Sequence, residues 1–299
     1  MTTDKNSKVT PQTLARMKAA GERIAVITAY DWMFATLFDA AGADIFIVGD
    51  SLAMSVQGHR STLPVTKEDI LYHPRAVARG TQRALVVADM PFLSYEISVE
   101  DAVRTAGRFI QEGGADAVKV EGGQSMVPVI EALLRAKIPV MGHIGLTPQS
   151  ALVQSGLKLP GKTRQALRQI LDDALALEHA GAFAIVLEAV PAPLSKLMQR
   201  LVGVPLIGIG SGSADGQVLV HTDLLGLPSA LGHKPRFAKQ YADLAAVISQ
   251  AVKHYIADTK AGKFPGAEHV YPVSQAQQDA VKELEAEFPV TGTDRPVQN

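Results

Sequence analysis

Four acidic residues stand at the ends of short apolar runs. Residues 45–48 (IFIV) break at Gly49 and are followed by Asp50 and Ser51. Residues 84–88 (ALVVA) lead to Asp89, residues 117–120 (AVKV) to Glu121, and residues 184–187 (AIVL) to Glu188. A short apolar run that stops at a glycine or an acid reads as a buried strand leaving its sheet. In α/β folds that strand end is where catalytic groups collect. Any one of these acids could equally cap the loop or helix after it. Four in register argue for a common site. Carboxylates gathered at one end of a sheet repel unless a cation compensates them.

Side chains two apart on a strand share a face, so Lys119 points the same way as Glu121. A buried lysine needs an anion. It either forms a structural ion pair or holds a substrate carboxylate or oxyanion, and a Schiff base is a third option. Asp50, Asp89 and Glu121 offer only oxygen, which suits Mg2+ or Mn2+ better than Zn2+. Such a metal could grip a 2-oxo acid and act as a Lewis acid on its enolate, with one or two of the acids working through water. Apolar neighbours around Glu188 would suit it to general-base work, unless it merely pairs with Lys119. His143 ends a fifth run (PVMGHIG), where structure is the commoner role. His59 lies in a long loop, as part of a lid or simply on the surface. Gly208, Gly210 and Gly212 read as a backbone nest for an anion. Ser51 could offer its hydroxyl and N–H to a substrate carboxylate.

Elements must hold these groups in place. Apolar runs at 24–28, 44–48, 85–88, 116–120, 138–141, 183–187, 205–209 and 217–220 alternate with helical patterns, and no hairpin signal intervenes. This predicts a single-domain (β/α)8 TIM barrel, about residues 22–262, with an added N-terminal helix opened by Thr10-Pro11 and a C-terminal helical extension over about 271–299. Pro74 should kink or split the helix after residue 66, and a last barrel helix is expected over about 239–261. Insertions are expected after the second and fifth strands. Residues 1–9 and the last ten or so are expected to be disordered, and residues 274–288 to form a charged helix. An open doubly wound sheet is the alternative, but the first strand ends in Thr28-Ala29-Tyr30-Asp31 and lacks the glycine-rich turn.

With 299 residues, 47% of them hydrophobic, the chain can bury a large core. A net charge of -1 gives no electrostatic case for nucleic acid or an acidic membrane. The chain has no cysteine, which removes disulfides, thiolate metal sites and cysteine nucleophiles. The N-terminal MTTDKNSKVT is polar and no apolar stretch is of spanning length, so no signal peptide, no membrane segment and a cytoplasmic location are expected.

The segments ITAYD (27–31), VGDSLAMSVQGHRSTLPVT (48–66), ADMPFLSYE (88–96), AVKVEGG (117–123), PVMGHIGLTPQ (139–149), IGIGSG (207–212), DGQVLV (215–220) and FPGAEH (264–269) resemble the ketopantoate hydroxymethyltransferase family. The resemblance implies a (β/α)8 barrel in which Asp50, Asp89 and Glu121 match Mg2+ positions. Asp50, Ser51, Asp89 and Lys119 match contacts to the 2-oxo acid, Glu188 matches the proton acceptor, and His143 matches a histidine near the substrate. The implied reaction moves a one-carbon unit from 5,10-methylenetetrahydrofolate to 3-methyl-2-oxobutanoate, giving 2-dehydropantoate for pantothenate biosynthesis. A homo-oligomer, commonly a decamer, is implied as well. The chain departs from the family pattern at Ala53, at residues 151–163 and in the tail beyond about 271. Rival readings are a Mg2+-dependent lyase or mutase of the isocitrate lyase and phosphoenolpyruvate mutase kind, which usually carries a catalytic cysteine, a Schiff-base aldolase using Lys119, and a barrel that only binds a metabolite.

Overall fold

In the computed structural model, eight parallel strands close into a barrel in sequence order, each hydrogen-bonded to the next and β8 to β1. The structure describes residues 7–288 apart from 154, 155, 157, 231 and 233. The strands are β1 (Ile24–Thr28), β2 (Ile45–Val48), β3 (Leu85–Asp89), β4 (Ala117–Glu121), β5 (Val140–Gly145), β6 (Ala184–Glu188), β7 (Leu206–Ile209) and β8 (Gly216–Leu219). The predicted strands all exist. Several begin one or two residues later than expected, because leading residues such as Asp44 and Asp116 serve the ladder from its lower edge. Asp44 Oδ2 accepts from the Ala25 N–H, and Asp116 Oδ2 from the Val86 N–H.

The period-two pattern sorts the side chains into two cores. Ile45, Ile47, Leu85, Val87, Ala117, Met141, Ala184, Val186 and Ile207 fill the barrel interior. Their neighbours Phe46, Val86, Val118, Val120, Ile185 and Leu187 face outward to the helices. Next above Val87 in the inward series comes Asp89, above Ala117 come Lys119 and Glu121, above Met141 comes His143, and above Val186 comes Glu188. The chemical residues are therefore the top layer of the barrel filling.

The helices are α1 (Pro11–Ala20), α2 (Trp32–Ala40), α3 (Leu52–Ser55), α4 (Lys67–Gly80), α5 (Val99–Gln111), α6 (Val127–Arg135), α7 (Arg164–His179), α8 (Ala192–Leu201), α9 (His221–Leu225), α10 (Leu244–Lys260) and α11 (Gln275–Glu287). Their starts follow the cap rules. Thr10, Asp31, Thr66, Ser98 and Thr163 each accept a first-turn backbone N–H, and Thr66 with Asp69 closes a reciprocal capping box. The added N-terminal helix is present. Leu14 of α1 and the preceding Val9 join the interior core.

Three expectations need correction. Residues 1–6 lie outside the described residues, but the chain is already ordered at Lys8 and Val9: the Lys8 ammonium meets Asp116, and buried Val9 donates its N–H to Arg83 O. Pro74 does not split α4, which runs unbroken through it with Pro74 buried against the core side. The helix expected over 239–261 begins only at Leu244, where the Asp243 side chain caps it. The expected tail disorder falls on 289–299, outside the described residues.

The described residues fall into two compact units, the first ending at Ala242 and the second beginning at Asp243. The second unit holds α10 and α11, in which no residue is buried.

Candidate active site

The strand register explains why the top layer meets. Asp89 pairs with Lys119 across β3 and β4, Glu121 with His143 across β4 and β5, and Gly145 with Glu188 across β5 and β6. Side chains so paired on one face lie within reach of each other. Asp50 arrives from the turn beyond β2. Gly49 allows it to: a Cβ there would stand 3.1 Å from Ser51 Oγ and 3.3 Å from Asp89 Oδ2. The Asp50 N–H donates to Asp89 Oδ2 at 3.3 Å. Just past Glu188, Ala189 takes φ 52°, a strained value for a residue with a side chain, and Gly145 beside it takes φ 99°. An added Cβ at Gly145 would collide with the Glu188 carbonyl.

Lys119 Nζ lies 2.6 Å from Asp89 Oδ1 and 3.9 Å from Glu121 Oε1. His143 bridges two acids, with Nδ1 at 3.1 Å from Glu121 Oε1 and Nε2 at 3.2 Å from Glu188 Oε2. Glu188 thus faces His143. Among the described residues it makes no ion pair with Lys119, the alternative the sequence left open. Asp50, Asp89, Lys119, Glu121 and His143 are all buried, whereas the Glu188 side chain is 20% exposed. Ser51 Oγ lies 2.7 Å from the Tyr30 hydroxyl.

Two residues that sequence reasoning passed over complete the cluster. Gln149, in the 3-10 turn Pro148–Ser150, donates its side-chain amide to Asp50 Oδ2 and Met90 O, each at 3.0 Å, and its backbone N–H to Glu121 Oε2 at 3.1 Å. Tyr95 holds the other end of that amide, its hydroxyl 2.7 Å from Gln149 Oε1. Their only signal was membership in the segments ADMPFLSYE and PVMGHIGLTPQ. By contrast His59 is exposed in its loop. Gly210 and Gly212 have positive φ as a nest requires, and the buried Ser211 hydroxyl between them has no hydrogen-bond partner among the described residues.

Charge accounts for the protonation preferences. Burial first, then the charges of Asp89 and Glu121, push the Asp50 carboxyl up to about 8, against Lys119 and Gln149. Burial also raises Asp89, with Lys119 opposing. Burial works against charge on Lys119, but Asp89, Glu121 and Asp50 outweigh it and hold the ammonium charged. Burial would raise Glu121, yet His143 and Lys119 keep it below its usual value. Burial and Lys119 oppose charge on His143, but Glu121 and Glu188 lift it to about 9.

Among the described residues no three His, Asp or Glu side chains close around a single point as a ready metal cage. The Lys119 ammonium and the Gln149 amide fill the space between the acids. The donor set still fits Mg2+, which takes one or two carboxylates and completes its shell with water and substrate oxygens. Asp50 and Asp89 are linked at one end of the cluster. Buried Asp89 Oδ1, for all its closeness to Lys119, makes no aligned hydrogen bond among the described residues. The acids outnumber the two cations, and that excess adds to burial, the larger cause, in raising the Asp50 carboxyl.

A family model described as ketopantoate hydroxymethyltransferase matches residues 8–267. The 3-methyl-2-oxobutanoate hydroxymethyltransferase of Carboxydothermus hydrogenoformans is 50% identical over 269 residues, covering 89% of this chain and 96% of that protein. The protein of the same name from Caldicellulosiruptor saccharolyticus is 52% identical over 266 residues, covering 89% of this chain and 100% of its own length. Among solved structures, a phosphonopyruvate hydrolase in complex with oxalate and Mg++ is similar with a TM-score of 0.55 at 13% identity, covering 94% of this chain and 99% of that one. A phosphoenolpyruvate phosphomutase from Streptomyces platensis subsp. rosaceus gives 0.56 at 19% identity, covering 93% and 99%. At such identities the likeness to solved structures is one of fold.

Proposed function

Because the chain belongs to the ketopantoate hydroxymethyltransferase family and is a hydroxymethyltransferase, we propose that it transfers a hydroxymethyl group from 5,10-methylenetetrahydrofolate to 3-methyl-2-oxobutanoate, forming 2-dehydropantoate. The observation that carries this reading is a carboxylate open to the mouth, Glu188, beside a buried acid–lysine cluster that can hold a 2-oxo acid.

Glu188 takes the proton from C3 of the oxo acid. It is the most accessible of the four acids, and His143, 3.2 Å away without an aligned hydrogen bond among the described residues, draws it by charge. Lys119, held charged by Asp89, faces the negative charge that develops on the keto oxygen as the proton leaves. Ser51, steadied by Tyr30, is placed to meet the substrate carboxylate. The resulting carbanion equivalent forms the new C–C bond to the one-carbon unit of the folate in an aldol-type addition; both C–N bonds of that unit break, tetrahydrofolate leaves with a proton, and water supplies the hydroxyl oxygen of the product. Asp50 and Asp89, with Glu121 behind them, would hold Mg2+, which would supply Lewis acidity at the keto oxygen. The oxalate and Mg++ in the phosphonopyruvate hydrolase structure make a comparable oxo-acid ligand reasonable for this barrel.

The Schiff-base alternative is disfavoured, because Lys119 is kept protonated by the acids around it and an ammonium is no nucleophile. Copies of the chain assemble into a homo-oligomer in this reading, and the reaction runs in the cytoplasm. Among the described residues no helix is long and apolar enough to cross a membrane. The test is 2-dehydropantoate formation from the two substrates with Mg2+ and with excess chelator. Formation abolished by chelator and restored by Mg2+ supports the proposal, whereas no product under either condition refutes it.

A further inference from the structure

Gln149 joins more of the site than any residue with an assigned role. It is 5% exposed and reaches four chain segments: Asp50 beyond β2, Met90 beyond β3, Tyr95 in the loop before α5, and Glu121 at the end of β4. The orientation of its amide follows from its partners. The Met90 carbonyl can only accept, so the atom facing it is nitrogen, and the same nitrogen donates its second hydrogen to Asp50 Oδ2. The Tyr95 hydroxyl accepts the Glu121 N–H at 3.2 Å, so its own proton is available to Gln149 Oε1 at 2.7 Å, nearer than the Glu121 carbonyl at 3.4 Å. Both amide hydrogens and the amide oxygen are therefore committed.

We propose that Gln149 is a positioning residue for the reaction: its amide, braced by Tyr95, pins Asp50 Oδ2 and so fixes how Asp50 presents its other oxygen to the 2-oxo acid and a divalent cation. This rests on the reading of Asp50 as a substrate and cation ligand. Chemistry explains the residue type. Leucine fills the space without donating. Glutamate would bring a further anion against Asp50 and the Met90 carbonyl. Asparagine is one methylene too short to span Asp50 and Tyr95.

The test compares Gln149→Leu, Tyr95→Phe, the double variant and Asp50→Asn with the parent enzyme. Calorimetric titration with Mg2+ alone, KM and kcat for 3-methyl-2-oxobutanoate, and thermal melts are measured on each. Gln149→Leu is expected to fold, to weaken Mg2+ binding and to raise KM by about 10- to 100-fold. Tyr95→Phe should shift the same quantities in the same direction by less, and the double variant should be no worse than Gln149→Leu, since both act through one amide. A folded Gln149→Leu with Mg2+ affinity and KM within about twofold of the parent overturns the proposal. So does a variant whose melting temperature falls while KM and Mg2+ affinity stay put, which would mark a purely structural role. If Gln149→Leu does not fold, Tyr95→Phe is judged by the same two criteria. If Asp50→Asn loses binding while Gln149→Leu does not, the Asp50 reading stands and the proposal for Gln149 falls. If Asp50→Asn binds Mg2+ like the parent, the Asp50 reading itself fails.

Discussion

His143 Nε2 lies 3.2 Å from Glu188 Oε2 without an aligned hydrogen bond among the described residues, and in the proposed reaction its charge draws the carboxylate of the base towards the ring. The other ring nitrogen lies 3.1 Å from Glu121 Oε1 and 3.3 Å from Lys119 Nζ, so turning the imidazole would give up both neighbours. An orientation role of this kind acts on the chemical step more than on binding. His143→Ala is therefore expected to lower kcat by roughly 10- to 100-fold with a smaller change in KM. Steady-state kinetics with the oxo acid varied at saturating folate reads the split, and an unchanged kcat would remove His143 from the mechanism.

Lys119 is a buried cation 2.6 Å from Asp89. Removing one partner of a buried pair leaves the other charge uncompensated, at a cost of about 3–5 kcal/mol. Lys119→Met should lower unfolding stability by about that much in urea titration, in addition to abolishing turnover. A variant as stable as the parent would mean that Asp89 is compensated by some other group.

Much of this was legible in the sequence. The barrel was readable because each strand is a short apolar run between glycine or acid breaks, and because the inward series from Leu85 to Val87 to Asp89 keeps its period into the chemistry. Asp89, Lys119, Glu121 and Glu188 follow from that series. Gln149 and Tyr95 do not, since their importance depends on two loops approaching across the barrel mouth, which no periodicity records. The split expected at Pro74 failed for a related reason. Local rules make proline a helix breaker, yet a proline buried in a long capped helix can be held there by tertiary packing.

His221 supplies a pH-dependent contribution to stability away from the acid cluster. It is packed against Tyr30, Phe34 and Phe38 and near the Thr28 hydroxyl. Burial pushes its pKa down to about 4 from 6.5, with Asp31 opposing weakly. Between those values the unfolded chain binds more protons at this site than the folded chain. Stability therefore rises with pH across the window and is lost as pH falls from 6.5 towards 4. The full difference is about 3 kcal/mol. Urea titrations at pH 7, 6 and 5 should show His221→Gln with a shallower loss than the parent. Parallel losses would contradict this account of His221.

The homo-oligomer proposed above is tested on helix α10. Val247, Ile248, Val252, Tyr255 and Ile256 are all exposed and recur at helical spacing on it. A stripe of that kind is costly in water and suits contact between copies of the chain. Val252→Glu should shift the sedimentation profile towards smaller species. An unchanged profile would place the assembly contacts elsewhere.

The account stands or falls on Glu188 as the proton acceptor. Exchange of the C3 proton of 3-methyl-2-oxobutanoate into deuterated water, followed by NMR with Mg2+ present and no folate, isolates that step. Glu188→Gln keeps the shape and the neighbour His143, and it should slow exchange by at least about 100-fold. Exchange at the parent rate in Glu188→Gln would contradict the mechanism.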